Sequence, residues 1–264
     1  MTLFDAILLG LVQGITEFLP ISSDGHLAIV QHYLPNFQQP GLLFDVMLHV
    51  GTLGAILIYF QRDIVRLLTA PFRKTGEARR DRRLLGLIAA ASVPTAIIGL
   101  GLKDHVEVWM ENMLVVGAML ILTGTLLFVG ERYRRSGRRG EAALNATDAI
   151  LTGIAQGLAV LPGLSRSGST IAALLFRGVD GETAARFSFL MATPAIGGAA
   201  LLSLKDLESL PAGDLPVYLA GTGVAFLVGL CAIRLLLDVI RRQRLIWFVL
   251  YCWLIGVALI GITL

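Results

Sequence analysis

The chain has 264 residues, of which 55% are hydrophobic and only 16% are charged, and its mean hydropathy is +0.75. A soluble domain of this length carries fewer apolar and more charged residues, so that class is excluded. The isoelectric point near 9.1 is no nucleic-acid signal either, because the basic residues cluster in short connections between apolar segments.

The chain opens on an apolar run, residues 3–20, that lacks the basic flank of a signal peptide and contains Glu17. It is expected to belong to the mature fold. The run ends in Pro20 and a polar stretch, and the apolar piece after it, 26–34, is too short to cross. Residues 148–162 repeat the pattern, ending in Pro162 and Gly163 before a short second limb, 169–177. Each pair predicts a re-entrant helical hairpin that enters and leaves by one face. Such backbone is tolerated at depth only where protein or a water-filled cavity surrounds it.

Six other segments are long enough to cross a bilayer: 43–60, 84–102, 113–130, 186–204, 216–240 and 245–263. Loop 61–83 carries Arg62, Arg66, Arg73, Lys74, Arg79, Arg80, Arg82 and Arg83. Loop 131–147 carries Arg132, Arg134, Arg135, Arg138 and Arg139, and the turn after 240 carries Arg241, Arg242 and Arg244. The connections 103–112 and 205–215 have one lysine each, Lys103 and Lys205. The positive-inside rule assigns the three basic loops to the cytoplasm and leaves both termini outside. Cys231 and Cys252 lie far apart in apolar segments and read as small packed residues, not as a disulfide or a metal pair.

The two hairpins are related. A gapless shift of 143 residues superposes Ala6 on Ala149, Gly10 on Gly153, Gln13 on Gln156, Gly14 on Gly157, Ser22 on Ser165 and Gly25 on Gly168. It carries on through Phe44 on Phe187 and Gly54 on Gly197. This is an internal repeat, with one half at about 3–130 and the other at about 146–264 of a single membrane domain, 1–264. Counting crossings from the basic loops inverts one half relative to the other, so the hairpin tips are expected to meet near the midplane. The predicted fold is an all-α polytopic membrane protein with an inverted-topology repeat, about six crossing helices and two re-entrant hairpins. Gly10/Gly14 and Gly153/Gly157 have the spacing that suits close helix contact.

Both tips are polar where lipid forbids it. The first runs from Gln13 through Glu17, Pro20, Ser22, Ser23, Asp24 and Gly25 to His26; the second is Pro162-Gly163-Leu164-Ser165-Arg166-Ser167-Gly168-Ser169-Thr170. An ionisable residue inside a membrane segment is costly and marks function by default. Gln13 and Glu17 share a helix face. Arg166 sits near a helix start, where free N–H groups and the dipole favour an anion, and its planar fork matches phosphate oxygens. Ser165, Ser167 and Thr170 add neutral donors, and Gly168 lets backbone approach. Glu17 can hold a divalent cation or orient a base, and His26 can exchange a proton near neutrality. Ser23 is a nucleophile candidate if His26 reaches it. The bland alternative, a polar network that only ties the hairpins together, leaves many costly buried groups without a use.

Asp45 and His49, four apart at the outer end of a crossing segment, are secondary candidates for the same cavity. Arg234 and Asp238 read as snorkelling or mutually paired. Arg177 and Arg186 read as topology charges, and His32 and His105 carry no assigned role.

Gln13-x-x-x-Glu17-Phe-Leu-Pro-x-Ser-Ser-x-Gly-His26 and Pro162-Gly-x-Ser-Arg-Ser-Gly-x-Thr170 resemble the two signature motifs of the bacterial undecaprenyl pyrophosphate phosphatase family, the bacitracin-resistance type. The resemblance spans essentially the whole chain in length, hydropathy and motif order. It implies an enzyme of the bacterial cytoplasmic membrane that converts undecaprenyl diphosphate to the monophosphate for cell-wall synthesis. A site facing the periplasm and a divalent cation, Mg2+ or Ca2+, belong to that expectation. It implies catalytic or binding roles for Glu17, Ser23, His26 and Arg166, with Gln13, Ser22 and Ser165 nearby. Asp24 stands where the best-known member has threonine; the extra carboxylate is a tentative metal ligand beside Glu17 or a charge that repels diphosphate. Expected partners are the polyprenyl lipid and the bilayer, without nucleic acid, and a homo-oligomer is compatible with the motifs. Attack comes either from Ser23 activated by His26 or from water held by Glu17 and the cation. The competing class is a polyprenyl-phosphate transporter or flippase, because inverted repeats with broken helices also build transporters.

Overall fold

The computed structural model describes all residues except 36, 38–41, 134–138, 204–212 and 243. Arg134, Arg135, Arg138 and Lys205, used above to orient loops, lie outside the described residues. Among the described residues the chain is all-α.

The first hairpin is α1 (Leu3–Thr16) and α2 (Ser23–Tyr33). The second is α8 (Ala146–Leu158) and α9 (Arg166–Phe176). At 1.5 Å per residue none of these helices exceeds about 21 Å, short of a bilayer core. Both hairpins are built by the same local rules. Thr2 and Asp5 form a capping box at the start of α1, and Asn145 and Asp148 form one at the start of α8. Ser22 caps α2 by accepting from the Gly25 amide, as Ser165 caps α9 by accepting from Gly168. Each cap residue lies 143 positions from its counterpart.

Among the described residues, five helices are long and apolar enough to cross by themselves. They comprise α5 (Gly76–Leu102), whose span continues through α6 (Val106–Glu111), then α7 (Met113–Tyr133), α10 (Gly181–Leu202), α11 (Leu215–Arg241) and α12 (Ile246–Thr263). The expected crossing at 43–60 differs. It is α3 (Leu43–Tyr59), which bends by 78° into α4 (Gln61–Thr69), and only the bent pair passes the same test. The bend falls where Arg62 and Asp63 end the apolar run. Loop 61–83 is therefore mostly helix.

In that region Asp81 is buried and draws arginines onto it. Asp81 accepts from Arg73 at 2.7 Å and faces Arg66 at 3.3 Å, while Arg186 reaches Asp63 at 2.7 Å. Val65, Leu68 and Phe72 point outward. Arg62, Arg79, Arg80, Arg82 and Arg83 are exposed as well, so the segment presents both basic and apolar side chains outward. Arg177 is likewise tied, to Asp148 at 2.9 Å, and Asp238 approaches Arg241 at 3.9 Å. Outward Leu219, Leu227, Leu254 and Val257 give the spans a lipid-type exterior.

Glycines set the helix contacts. A Cβ on Gly10 of α1 would stand 2.5 Å from the Gly221 carbonyl of α11. One on Gly153 of α8 would collide with the Ala91 carbonyl of α5. The small residues thus let each hairpin's first limb lie against a long helix, with α7 lying along α12. Phe18 packs edge-on against Phe189, with ring centroids 5.6 Å apart, forming an apolar floor under the polar tips.

Candidate active site

The turn between α1 and α2 brings Glu17 and Ser23 together. The Ser23 hydroxyl donates to Glu17 Oε2 at 2.6 Å, and Gln13 Nε2 donates to the same oxygen at 3.0 Å. Arg166 closes on Glu17 Oε1 from the second hairpin. All three partners meet a carboxylate that is only 5% exposed, so burial is offset by a cation and two neutral donors. Two buried polar atoms around Glu17 have no protein partner, Arg166 Nη1 and Gln13 Oε1. An unpaired guanidinium nitrogen in such a place is a donor available to an anionic ligand.

The tips touch directly. The Gly163 amide donates to Ser22 Oγ at 3.1 Å, and Ser167 Oγ donates to the Leu19 carbonyl at 3.2 Å. Gly25 lies so close to Gly163 that a Cβ on it would come within 2.9 Å of the Gly163 α-carbon. Ser22 adopts φ 72°, the left-handed region that costs a residue with a Cβ. The strain turns its carbonyl onto α2, where it accepts from His26 Nδ1 at 2.7 Å.

The other hydroxyls of the second tip are engaged within the protein. Ser165 Oγ lies 3.3 Å from Ser167 Oγ, and its amide donates to Thr123 Oγ1 at 2.9 Å. Thr170 Oγ1 meets Ser188 Oγ at 2.6 Å. Gly168 supplies the amide that Ser165 caps.

His49, a secondary candidate from sequence, stands at the centre. Its Nε2 is 3.4 Å from Glu17 Oε2 and 3.3 Å from Asp24 Oδ1, and its Nδ1 is 2.8 Å from the Asp45 carbonyl. The Asp45 carboxylate instead accepts from Gln31 Nε2 at 2.6 Å. His26 turns away from Ser23: its Nε2 is 2.7 Å from the Tyr251 hydroxyl. Tyr251, Thr123 and Gln31 were missed from sequence. A tyrosine in an apolar span reads as an interfacial aromatic, and a threonine or glutamine carries no motif.

No group of three His, Cys, Asp or Glu side chains among the described residues is arranged to hold a metal ion by protein ligands alone. The carboxylates of Glu17 and Asp24, both within 3.4 Å of His49 Nε2, are hard oxygen donors on the two sides of one point. His49 Nε2 occupies that point, so an ion held by both carboxylates would take the imidazole's place.

Fold and site together define a multi-pass, all-α membrane protein with an ionised, arginine-bearing centre where two hairpins meet. Residues 6–258 match the family described as Bacitracin resistance protein BacA, and the chain belongs to that family. It is 55% identical over 256 residues to a protein named undecaprenyl-diphosphatase of Syntrophotalea carbinolica, covering 97% of each chain. Proteins of the same name from Desulfosudis oleivorans and Desulforapulum autotrophicum are 47% and 41% identical. The alignments cover 98% and 97% of this chain, and 96% of each relative.

Proposed function

We propose that the chain is an undecaprenyl-diphosphatase, a phosphoric anhydride hydrolase that releases inorganic phosphate from the membrane-bound lipid. One observation carries the reading in the site itself. A buried carboxylate holds both a serine hydroxyl and an arginine that keeps one nitrogen free for phosphate.

The chemistry follows from that arrangement. Arg166 and the Gln13 side chain grip the terminal phosphate. Ser23 Oγ attacks its phosphorus while Glu17 takes the hydroxyl proton. The bridging P–O bond breaks, and polyprenyl phosphate leaves as the monophosphate. A water then attacks the phosphoserine, its proton leaving with the inorganic phosphate, as Glu17 returns a proton to Ser23. Most of the acceleration comes from fixed charge and positioning. A divalent ion held by Glu17 and Asp24 would supply charge neutralisation on the diphosphate oxygens.

The reading places the site in a bacterial inner membrane, open to the outer side, with the two halves inverted. The shared capping pattern supports two equivalent halves, and the packing of α1 on α11 and α8 on α5 supports their interlocking. One chain supplies every residue named. The test is phosphate release from polyprenyl diphosphates by purified protein, with and without chelator. A protein that moves the lipid across vesicles without releasing phosphate would be a transporter, and the proposal would fall.

A further inference from the structure

The helix α4 contributes nothing to the site, yet its outward face is built to a pattern. It bends by 78° from α3, so where α3 crosses the bilayer, α4 runs nearly along its surface. With the short turn Ala70–Phe72 it extends for about 18 Å at 1.5 Å per residue. Val65, Leu68 and Phe72 follow one another at helical spacing and are 60%, 61% and 87% exposed.

The segment is held in that attitude. Arg82 of α5 donates to the Ala70 carbonyl at 3.0 Å and to the Arg73 carbonyl at 2.6 Å. Asp63 is tied to Arg186 of α10 at 2.7 Å, and Leu67 and Ala70 are buried beneath the stripe. The apolar side chains are therefore fixed outward.

Charge is distributed in the same sense. Residues 61–83 hold eight Lys and Arg against three Asp and Glu. Asp63 and Asp81 are engaged by Arg66, Arg73 and Arg186. Arg82 and Arg83 are bound to backbone carbonyls. Arg62, Lys74, Arg79 and Arg80 are exposed and have no ion-pair partner among the described residues; Glu77 is the one exposed acid beside them. Only Arg73–Thr75 separate the turn from α5, which keeps these cations and the stripe at one depth.

An apolar stripe flanked by unpaired cations, lying across the direction of the spans, is the pattern of a helix seated at a membrane interface. Its hydrophobes enter the acyl chains and its cations meet headgroups. Zwitterionic headgroups offer those cations no net charge, whereas anionic ones do. We infer that α4, the turn after it and the first turns of α5 form an interfacial arm that selects anionic phospholipid headgroups beside the protein. By the topology proposed above, these lie in the cytoplasmic leaflet. The arm's selectivity is independent of what the site hydrolyses.

The test uses the full-length chain in nanodiscs of mixed phosphatidylcholine and phosphatidylglycerol. Phe72→Cys, made together with Cys231→Ala and Cys252→Ala, takes a bimane label, and nitroxide-bearing acyl chains on one lipid or the other quench it. Both lipids should quench, because position 72 sits among acyl chains. At low salt phosphatidylglycerol should quench with about three- to fivefold higher relative affinity, the scale of one surface cation. The preference should shrink toward parity in roughly 1 M salt, where the screening length is about 3 Å. Arg62→Gln, Lys74→Gln, Arg79→Gln and Arg80→Gln combined should also abolish it while quenching by phosphatidylcholine persists. Absence of quenching by either lipid would place the stripe against water or protein and overturn the inference. Equal quenching by both lipids at low salt would overturn it too, as would a preference that survives high salt or the four glutamines.

Discussion

The Gly163 amide donates to the Ser22 hydroxyl across a sequence gap of 141 residues, so one hairpin's tip is capped by a side chain that also caps its own helix. Ser22 Oγ accepts from Gly25 as well, at 3.3 Å. Ser22→Ala should remove the one acceptor of both hydrogen bonds while keeping the Cβ in its unfavourable backbone region. The expected cost is about 1–2 kcal/mol, measured as a fall in thermal midpoint in detergent. Ser22→Gly also loses the hydroxyl but relieves the φ strain, and should be the milder change by up to roughly 1 kcal/mol. The reverse order would mean that Ser22 is not strained in the membrane.

Arg166 presents a fork, with one arm on Glu17 and the other free. Arg166→Lys keeps the charge and loses the second donor. Turnover should fall roughly 100-fold, the scale of a lost transition-state donor. Near-normal rates in the lysine variant would reduce Arg166 to a general electrostatic residue.

Glu17→Gln retains shape and hydrogen-bonding reach toward Ser23 but cannot take its proton. Phosphate release should nearly vanish, by roughly 1,000-fold or more, while the purified protein keeps its helical content. Asp24→Asn should behave differently, raising the cation concentration needed for half-maximal rate. Full wild-type activity after rigorous chelation would exclude the cation and leave Glu17 as base alone.

His49 stands between Glu17 and Asp24. Its loss in His49→Ala leaves two carboxylates facing each other across a weakly screened gap, and activity should drop about tenfold or more. Asp24→Asn should then recover part of that loss, so the double variant is better than the product of the singles. Strict multiplicativity would show that the three groups do not interact.

The inverted arrangement is checked by side-specific thiol labelling in a variant with Cys231 and Cys252 replaced. Thr75→Cys should label from the cytoplasm and Glu111→Cys from outside. Labelling of both from one side would end the inverted-repeat proposal.

Hydropathy located the long spans, because apolar length is dictated by bilayer thickness, but the helix expected at 84–102 already begins at Gly76. Hydropathy misread 61–83 as loop, since Arg66 and Arg73, which pair with Asp63 and Asp81, look the same in sequence as arginines in water. In the site, Glu17 and Arg166 were legible because a charge inside an apolar run has few explanations. His49 was legible only as a neighbour of Asp45, yet its ring contacts Glu17, a residue on another helix. Tyr251 was illegible for a related reason. Its meaning lies in a partner 225 positions away, and no local pattern encodes such a pairing.

The knot between Ser22 and Gly163 also constrains how the protein is made. The first hairpin leaves the ribosome long before its partner, so the nascent chain must park Glu17 and the bent Ser22 backbone in the membrane for more than half its synthesis. Neither can reach its final contacts until Gly163 and Arg166 have been inserted. Until then Glu17 has only the partners of its own half, Gln13, Ser23 and His49, which makes the final closure of the first hairpin's tip a late event in biogenesis.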